Sequence, residues 1–145
     1  MNITEAKDHR EGILNLLTTE KLPVEDLPAA LNNFFVAQKG AELIGVIGLE
    51  VYGYYCLLRS LAVHPEFRGL GVAGRLVDQI EALAKSKGLK AIYLLTETAP
   101  GFFERKNYKK IARDEVPTAL QQSSEFSHVC PQSAIVMMKT LNQNN

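Results

Sequence analysis

The chain has few cysteines and no excess of charge of either sign. Its two cysteines, Cys56 and Cys130, lie far apart and in no metal-ligand spacing, so the sequence indicates neither a disulfide framework nor a zinc site. Lys and Arg together number 16, as do Asp and Glu, so no global field favours nucleic acid or an anionic membrane surface as a partner. A charged ligand must therefore be held by local groups.

Long apolar runs are also missing. None approaches the roughly 18 residues that a membrane span needs, and Met1–Lys7 lacks the apolar core of a signal peptide. We therefore expect a cytoplasmic protein without a membrane partner. The 145 residues, 46% hydrophobic and 22% charged, have the length and composition of one globular domain. We expect that domain to span residues 1–145, with a frayed tail at 142–145.

Apolar periodicity predicts an α/β fold with a mixed, mostly antiparallel sheet flanked by helices. Asp8 is expected to cap the first helix, and Gly88 to end the second in a left-handed cap. Three consecutive strands would form an antiparallel meander, and a strand after the crossover helix would pair in parallel. The predicted helices are 9–19, 71–86 and 102–106, with a polar loop or helix at 117–128, and the predicted strands are 34–38, 43–52, 55–63, 91–95, 110–113 and 134–139.

The glycine-rich run Gly69–Gly74 satisfies the G-x-G-x-x-G pattern of dinucleotide-binding folds. Its context does not fit that interpretation. Three predicted antiparallel strands precede the run, and Lys90 stands near the position, roughly 20 residues on, where an acidic residue is expected. The chain is also short for a Rossmann domain with a substrate domain, so we reject this fold.

With Arg68 included, the same residues give the pattern R-x-x-G-x-A. Glycines let consecutive backbone N–H groups turn inward, the helix that begins near Gly71 directs its positive dipole end at the same point, and Arg68 adds a full charge. A pyrophosphate would fit such a nest. The alternative is that a glycine-rich link between a strand and a helix is only a turn.

The longer run from Leu61 to Ala73 resembles the strand-loop-helix signature of the GNAT family of N-acetyltransferases, and the order of elements is similar from end to end. The resemblance implies acetyl-CoA as cosubstrate, with no metal required. It also implies that backbone groups of Leu61–Val63 hold the pantetheine arm, while the amides of Gly69–Gly74 hold the pyrophosphate. The cofactor-binding residues implied in this way are Leu61, Ala62, Val63, Arg68, Gly69, Leu70, Gly71, Val72, Ala73, Gly74 and Phe103.

Short motifs over most of the chain are similar to the arsenic-resistance branch of that family. This narrower resemblance implies a small amino-bearing organoarsenical, or an analogous amino acid, as the acceptor. The motifs are Gly48-Leu49-Glu50, Tyr52-Gly53, Leu57–Val63, Leu94–Ala99, Phe102-Phe103, Glu125-Phe126 and Cys130-Pro131.

Acetylation of an amine needs a neutral nucleophile, stabilisation of the tetrahedral oxyanion and a proton for the departing thiolate. In this family the amine attacks directly, so neither cysteine is expected to act as a nucleophile. Glu50, near the end of a core strand, is the first candidate for the general base, and Glu97, after strand 91–95, is the second. The alternatives are an exposed or salt-bridged edge carboxylate for Glu50 and a solvated loop residue for Glu97.

The thiolate's proton donor in this family is often a tyrosine within a Y-x-x-x-G-F pattern. This chain has Phe103 at that position, followed by Asn107 and Tyr108. Phe103 has no proton to give, so we expect it to shape the pantetheine tunnel. Tyr52, Tyr93 or water could supply the proton instead, and the alternative for each tyrosine is core or rim packing.

Arg59 interrupts an apolar strand two positions before Leu61. One hypothesis is an internal ion pair with Glu50. The other is a planar fork that binds the acceptor's carboxylate or arsenical oxyanion, with Glu50 and Tyr52 beside it as further substrate-binding residues.

We therefore expect an acetyl-CoA-dependent N-acetyltransferase whose partner is a small-molecule amine. A protein or peptide N-acetyltransferase and a non-catalytic acyl-CoA-binding regulatory module are the alternatives. The sequence leaves open whether the chain forms a homodimer.

Overall fold

The structure, a computed structural model, describes residues 1–123 and 134–141. Strands and helices in this part of the chain are interspersed. In chain order they are β1 (Asn2–Glu5), α1 (Arg10–Thr19), β2 (Phe34–Lys39), β3 (Glu42–Tyr52), β4 (Tyr55–Val63), α2 (Val72–Ser86), β5 (Ala91–Thr96), α3 (Pro100–Arg105), β6 (Lys109–Ile111), α4 (Thr118–Gln121) and β7 (Ile135–Thr140). Short 3₁₀ turns lie at Pro65–Phe67 and Arg113–Glu115.

Within the described ranges, these strands form one seven-stranded sheet in the order β1-β2-β3-β4-β5-β7-β6. Strand β2 runs antiparallel to β1 and β3, and β7 runs antiparallel to β5 and β6. The pairing of β4 with β5 is parallel, from Tyr55 opposite Ala91 to Leu57 opposite Tyr93. The prediction of a mixed, mostly antiparallel sheet flanked by helices is therefore confirmed.

The chain forms two compact units, each with its own core. The first comprises Met1–Leu49 and Arg59–Ile80, and the second comprises Glu50–Leu58 and Glu81–Asn145. Residues at the centre of the first core are Ile13, Leu17, Leu27, Leu31, Phe34, Val36 and Val46. Those at the centre of the second are Leu57, Ala91, Tyr93, Val116, Leu120 and Val136. That residues 1–145 are a single domain stays a prediction.

Two details at the first helix and the first strand differ from the sequence-based expectation. The residue that precedes α1 is His9, and no side chain caps this helix, so the predicted Asp8 cap is wrong. Strand β1 was not predicted, because Asn2–Glu5 has a single apolar residue and is largely exposed. Its pairing with β2 holds it in the sheet.

The ends of α2 and α3 agree with the residue types found there. Gly88, just after α2, has a φ of 73°, as expected for a left-handed helix end. Asn107, after α3, has a φ of 75°, which asparagine tolerates better than most residues. The predicted segment 117–128 is helical at Thr118–Gln121, and its last part lies outside the described residues.

Candidate functional site

The exit of β4 is fixed by His64. Its backbone N–H donates to the carbonyl of Ile44 at 2.8 Å, and its ring Nδ1 accepts a hydrogen bond from the N–H of Glu66 at 3.1 Å. The Phe67 ring meets the His64 ring nearly edge-on, with the centroids 5.7 Å apart. The chain therefore leaves β4 in a defined direction and enters the glycine segment.

Two residues of the glycine segment adopt left-handed backbone conformations, with φ of 78° at Gly69 and 82° at Gly71. Helix α2 begins directly afterwards at Val72. A Cβ added at Gly69, Gly71 or Gly74 would meet no described atom within 4 Å. The start of α2 thus combines unobstructed space, backbone N–H groups and the positive end of the helix dipole, which are the requirements for binding a phosphate group.

Arg68 stands at the edge of this segment. Its side chain is 59% exposed, and its Nη2 donates to a carboxylate oxygen of Glu20, whose side chain is largely buried. Because the guanidinium end of this ion pair is exposed to solvent, Arg68 can exchange partners. The role predicted for Arg68 in binding phosphate stays a prediction, with Glu20 as a competitor for the guanidinium.

Strand β4 contains an irregularity at Ser60, just before Leu61–Val63. The φ of Ser60 is 60°, in the left-handed region that residues other than glycine seldom adopt. Such a conformation costs roughly 1–3 kcal/mol and is often found at functional sites. Residue patterns do not predict this feature, because serine at this position is compatible with a regular strand.

Arg59, the neighbour of Ser60, is buried, and its side chain has 0% exposure. Its Nη1 and Nη2 donate to the two carboxylate oxygens of Asp26 at 2.9 and 2.8 Å. Asp26 is therefore an ion-pair partner of Arg59 that the sequence did not indicate, and the ion pair with Glu50 stays a prediction. Asp26 lies in the loop between α1 and β2, where apolar periodicity carries no positional information. Direct binding of the acceptor by Arg59 stays a prediction, to be judged against this buried ion pair.

Two of the predicted catalytic residues are in contact. The Tyr52 hydroxyl donates to Glu50 Oε1 at 2.8 Å, and both side chains are partly buried. The contact follows from their spacing, since residues i and i+2 of a strand share a face. Glu97, by contrast, is exposed after the end of β5. A carboxylate with a phenol bonded to it can accept one proton and supply another, so Glu50 and Tyr52 have the groups that acetyl transfer requires.

Phe103 lies in an aromatic cluster of the second unit and is 4% exposed. Its ring packs edge-on against Phe102 and Tyr108, with centroid distances of 5.0 and 5.5 Å.

Tyr93 on β5 is 7% exposed, and its ring meets Tyr55 edge-on at 6.0 Å. Burial, with a smaller effect of Tyr55, raises the pKa of Tyr93, so its hydroxyl keeps its proton.

Metal-ligating side chains are not clustered in the part of the chain that the structure describes. Residues 1–123 and 134–141 contain no group of three or more His, Cys, Asp or Glu side chains placed to hold a metal ion. Over the same ranges, no helix is long and apolar enough to cross a membrane.

Burial raises the pKa of the Cys56 thiol to about 12, which leaves it protonated near neutral pH. Cys130 lies outside the described residues.

A family model described as an acetyltransferase (GNAT) domain matches residues 30–110. The chain belongs to this family. Within it, an uncharacterized N-acetyltransferase of Chlorobaculum tepidum is 32% identical over 126 residues, which cover 83% of this chain and 79% of that protein. The amino-acid acetyltransferase of Vibrio atlanticus is 26% identical over 113 residues, which cover 77% of this chain but only 24% of that protein.

Among solved structures, Rv2747 from Mycobacterium tuberculosis in complex with CoA and NLQ is similar in fold. The TM-score is 0.83 at 23% sequence identity, and the alignment covers 98% of this chain and 100% of the other. The GNAT domain identifies the chain as an enzyme that transfers an acetyl group from acetyl-CoA, its cosubstrate. The resemblance drawn from Leu61–Ala73 is thereby confirmed at the level of the family.

Proposed function

We propose that this chain N-acetylates a small molecule that carries an amino group, either an amino acid or an organoarsenical analogue of one. The observation that carries this proposal is the 2.8 Å hydrogen bond from Tyr52 to Glu50. It joins a carboxylate able to accept the amine's proton to a hydroxyl able to donate one. The amino-acid class is supported by the similarity to the Vibrio atlanticus enzyme, and the arsenical class by the short motifs described above.

In the proposed reaction the amine lone pair attacks the thioester carbonyl carbon, and the C–S bond breaks as the tetrahedral intermediate collapses. Glu50 takes the proton that the amine loses. Tyr52 gives its proton to the departing thiolate and recovers one from Glu50, so the net transfer is from amine to thiol. Backbone N–H groups of Leu61–Val63 polarise the carbonyl, and the amides of Gly69–Gly74 hold the pyrophosphate.

The proposal is tested by measuring thiol release from acetyl-CoA with a panel of amines, and by identifying the acetylated products by mass spectrometry. The panel contains acidic and neutral amino acids, arsenical amino acids, an aminoglycoside and a peptide with a free N-terminus. Turnover with one of the amino acids or arsenicals is the expected result. Turnover with the peptide alone, or acetyl-CoA binding without turnover, would contradict it.

The roles of Glu50 and Tyr52 are separated by two variants. Glu50→Gln should lower kcat by about 10² or more, the usual contribution of a general base. The deficit should shrink as pH rises, because more of the acceptor amine is then neutral without assistance. Tyr52→Phe retains the carboxylate and should lower kcat less. A Glu50→Gln deficit that is constant with pH would indicate that another group accepts the proton, with Glu97 the next candidate.

A further inference from the structure

Arg59 binds a loop that is distant in sequence. Its Nη1 and Nη2 form the two-point contact with the carboxylate of Asp26, 33 residues away in the chain. The Asp26 side chain is 11% exposed and that of Arg59 is 0% exposed. Removing either partner would break a two-point contact between two largely buried charges, so the pair fixes this loop against β4.

The same guanidinium also contacts its neighbour in the chain. Arg59 Nε donates to the hydroxyl oxygen of Ser60 at 3.1 Å. Ser60 is the residue with the left-handed backbone, and Leu61 follows it directly. One side chain therefore bonds to the Asp26 loop and to the residue where the backbone of β4 changes direction.

A second arginine also binds the loop between α1 and β2. Arg10, at the start of α1, donates from Nη1 to the carbonyls of Pro28 and Ala29, and from Nη2 to the carbonyl of Leu27 at 3.4 Å. Arg10 is thus bonded to the loop by the same chemical group as Arg59. These three bonds all go to backbone carbonyls of the loop.

Resting on the proposed function for the role of Leu61–Val63, we infer that Arg59 is a positioning residue for acetyl transfer. The Asp26 carboxylate orients the guanidinium, and the guanidinium holds Ser60 in its left-handed conformation. That conformation sets the direction in which the following N–H and C=O groups of β4 point. Since a small displacement of the reacting groups can cost a large factor in rate, these bonds are expected to act mainly on kcat.

The test compares Arg59→Lys with Arg10→Lys as a matched control. A lysine is a point charge that cannot reproduce a two-point contact with Asp26 together with a bond to Ser60. Arg59→Lys should lower kcat about tenfold or more, while the Kd for acetyl-CoA measured by calorimetry changes less than about twofold. Arg10→Lys loosens the same loop and should leave kcat within about twofold. Both are assayed at a temperature where circular dichroism shows them fully folded.

A second pair of measurements keeps the inference testable if Arg59→Lys does not fold. Ser60→Ala removes the oxygen that accepts from Arg59 Nε but leaves the ion pair intact, and it should also lower kcat. In amide NMR spectra, Ser60→Ala should shift the Leu61 and Ala62 signals, as should Arg59→Lys where it folds, whereas Arg10→Lys should not.

Parallel losses of kcat and Tm in Arg59→Lys and Arg10→Lys would overturn the inference, because a purely structural role predicts them. A rise in the acceptor's KM alone in Arg59→Lys would also overturn it, in favour of direct acceptor binding. If the wild-type protein binds acetyl-CoA but turns over no amine of the panel, the proposed function fails. In that case the amide signals still decide the inference, and unchanged Leu61 and Ala62 signals in Arg59→Lys would refute it.

Discussion

The hydroxyl of Tyr108 donates a 3.0 Å hydrogen bond to the carboxylate of Glu81, 27 residues earlier in the chain. Lys139 donates to the other oxygen of the same carboxylate at 3.0 Å. Glu81 is 8% exposed and Tyr108 is 3% exposed, so this three-residue contact connects α2, the link between α3 and β6, and β7 inside the second unit. We interpret it as structural, because Tyr108 directs its proton at a buried carboxylate.

Tyr108→Phe removes that hydrogen bond without emptying the space that the ring fills. Because hydrogen bonds to charged groups contribute more than neutral ones, the free energy of unfolding should fall by about 2 kcal/mol, as measured by urea denaturation. The kcat at a temperature well below the transition should stay within about twofold of the wild type. A large loss of kcat in a protein of unchanged stability would instead give Tyr108 a role in catalysis.

Gly74 allows a test of the glycine segment in which stability and binding change in opposite directions. It lies in α2, and a Cβ there would meet no described atom. Gly74→Ala should therefore raise the free energy of unfolding by about 0.5 kcal/mol, because alanine restricts the unfolded chain. It should weaken acetyl-CoA binding about tenfold if the pyrophosphate occupies that space, since one lost hydrogen bond to a charged group is of this size.

Calorimetry and thermal unfolding check both expectations, and Lys85→Ala at the other end of α2 is the control. Gly71→Val is a poorer test. The φ of 82° at Gly71 would strain a valine by roughly 1–2 kcal/mol, so lost binding could reflect lost folding. Unchanged affinity in Gly74→Ala would place the pyrophosphate elsewhere.

Glu20 and the phosphates of bound acetyl-CoA are predicted to compete for the Arg68 guanidinium. Arg68→Ala should weaken acetyl-CoA binding about threefold, because an exposed charge interacts weakly in water. Glu20→Gln should strengthen binding about twofold at low salt, since the guanidinium loses its competitor. Both effects should fade in calorimetric titrations at high ionic strength, where exposed charges are screened. A weakening of binding in Glu20→Gln would show that the ion pair holds the loop rather than competing with the ligand.

Phe103 is predicted to tolerate a tyrosine, the residue that the family often has at this position. Phe103→Tyr keeps the ring packed against Phe102 and Tyr108 and should leave acetyl-CoA affinity and turnover within about threefold. Phe103→Ala would cost about 3–5 kcal/mol through the cavity it creates, so its kinetics would report on folding. Loss of acetyl-CoA binding in a folded Phe103→Tyr protein would show that the ring fills a space with no room for a hydroxyl.

Cys56 is predicted to be chemically inert in the folded protein. Its side chain is buried, Sγ donates to the Ala91 carbonyl at 3.5 Å, and burial raises the pKa of the thiol from 9.0 to about 12. In a Cys130→Ser background, a thiol-specific reagent should react at pH 8 only after urea is added, and kcat should be unaffected by the reagent. Reaction in the native state would contradict this.

The raised pKa of Cys56 also predicts that the protein becomes less stable as the pH rises above about 9. The folded thiol keeps its proton up to about pH 12, whereas the unfolded thiol loses it above about pH 9. The contribution of Cys56 is therefore fully present below pH 9 and is lost as pH rises towards 12. Urea denaturation at alkaline pH measures this contribution when the Cys130→Ser protein is compared with a protein that carries both Cys56→Ala and Cys130→Ser.

Features that depend on residues close together in the chain can be predicted from the sequence. The meander of β2, β3 and β4, the helix α2 and its end at Gly88 follow from apolar periodicity and glycine conformation. The contact between Glu50 and Tyr52 was also within reach, because two residues on one face of a strand lie close together. The glycine segment before α2 was recognisable for the same reason, since its function depends on consecutive backbone groups.

Contacts between charged groups that lie far apart in the chain depend on tertiary packing. Arg59 pairs with Asp26, 33 residues away, and Glu81 receives bonds from Tyr108 and from Lys139, 27 and 58 residues away. The left-handed backbone of Ser60 likewise has no local cause, because serine prefers other conformations and the surrounding contacts must impose this one. A buried charge requires a partner, but residue patterns specify only that requirement, and the packing of loops and strands chooses the residue that meets it.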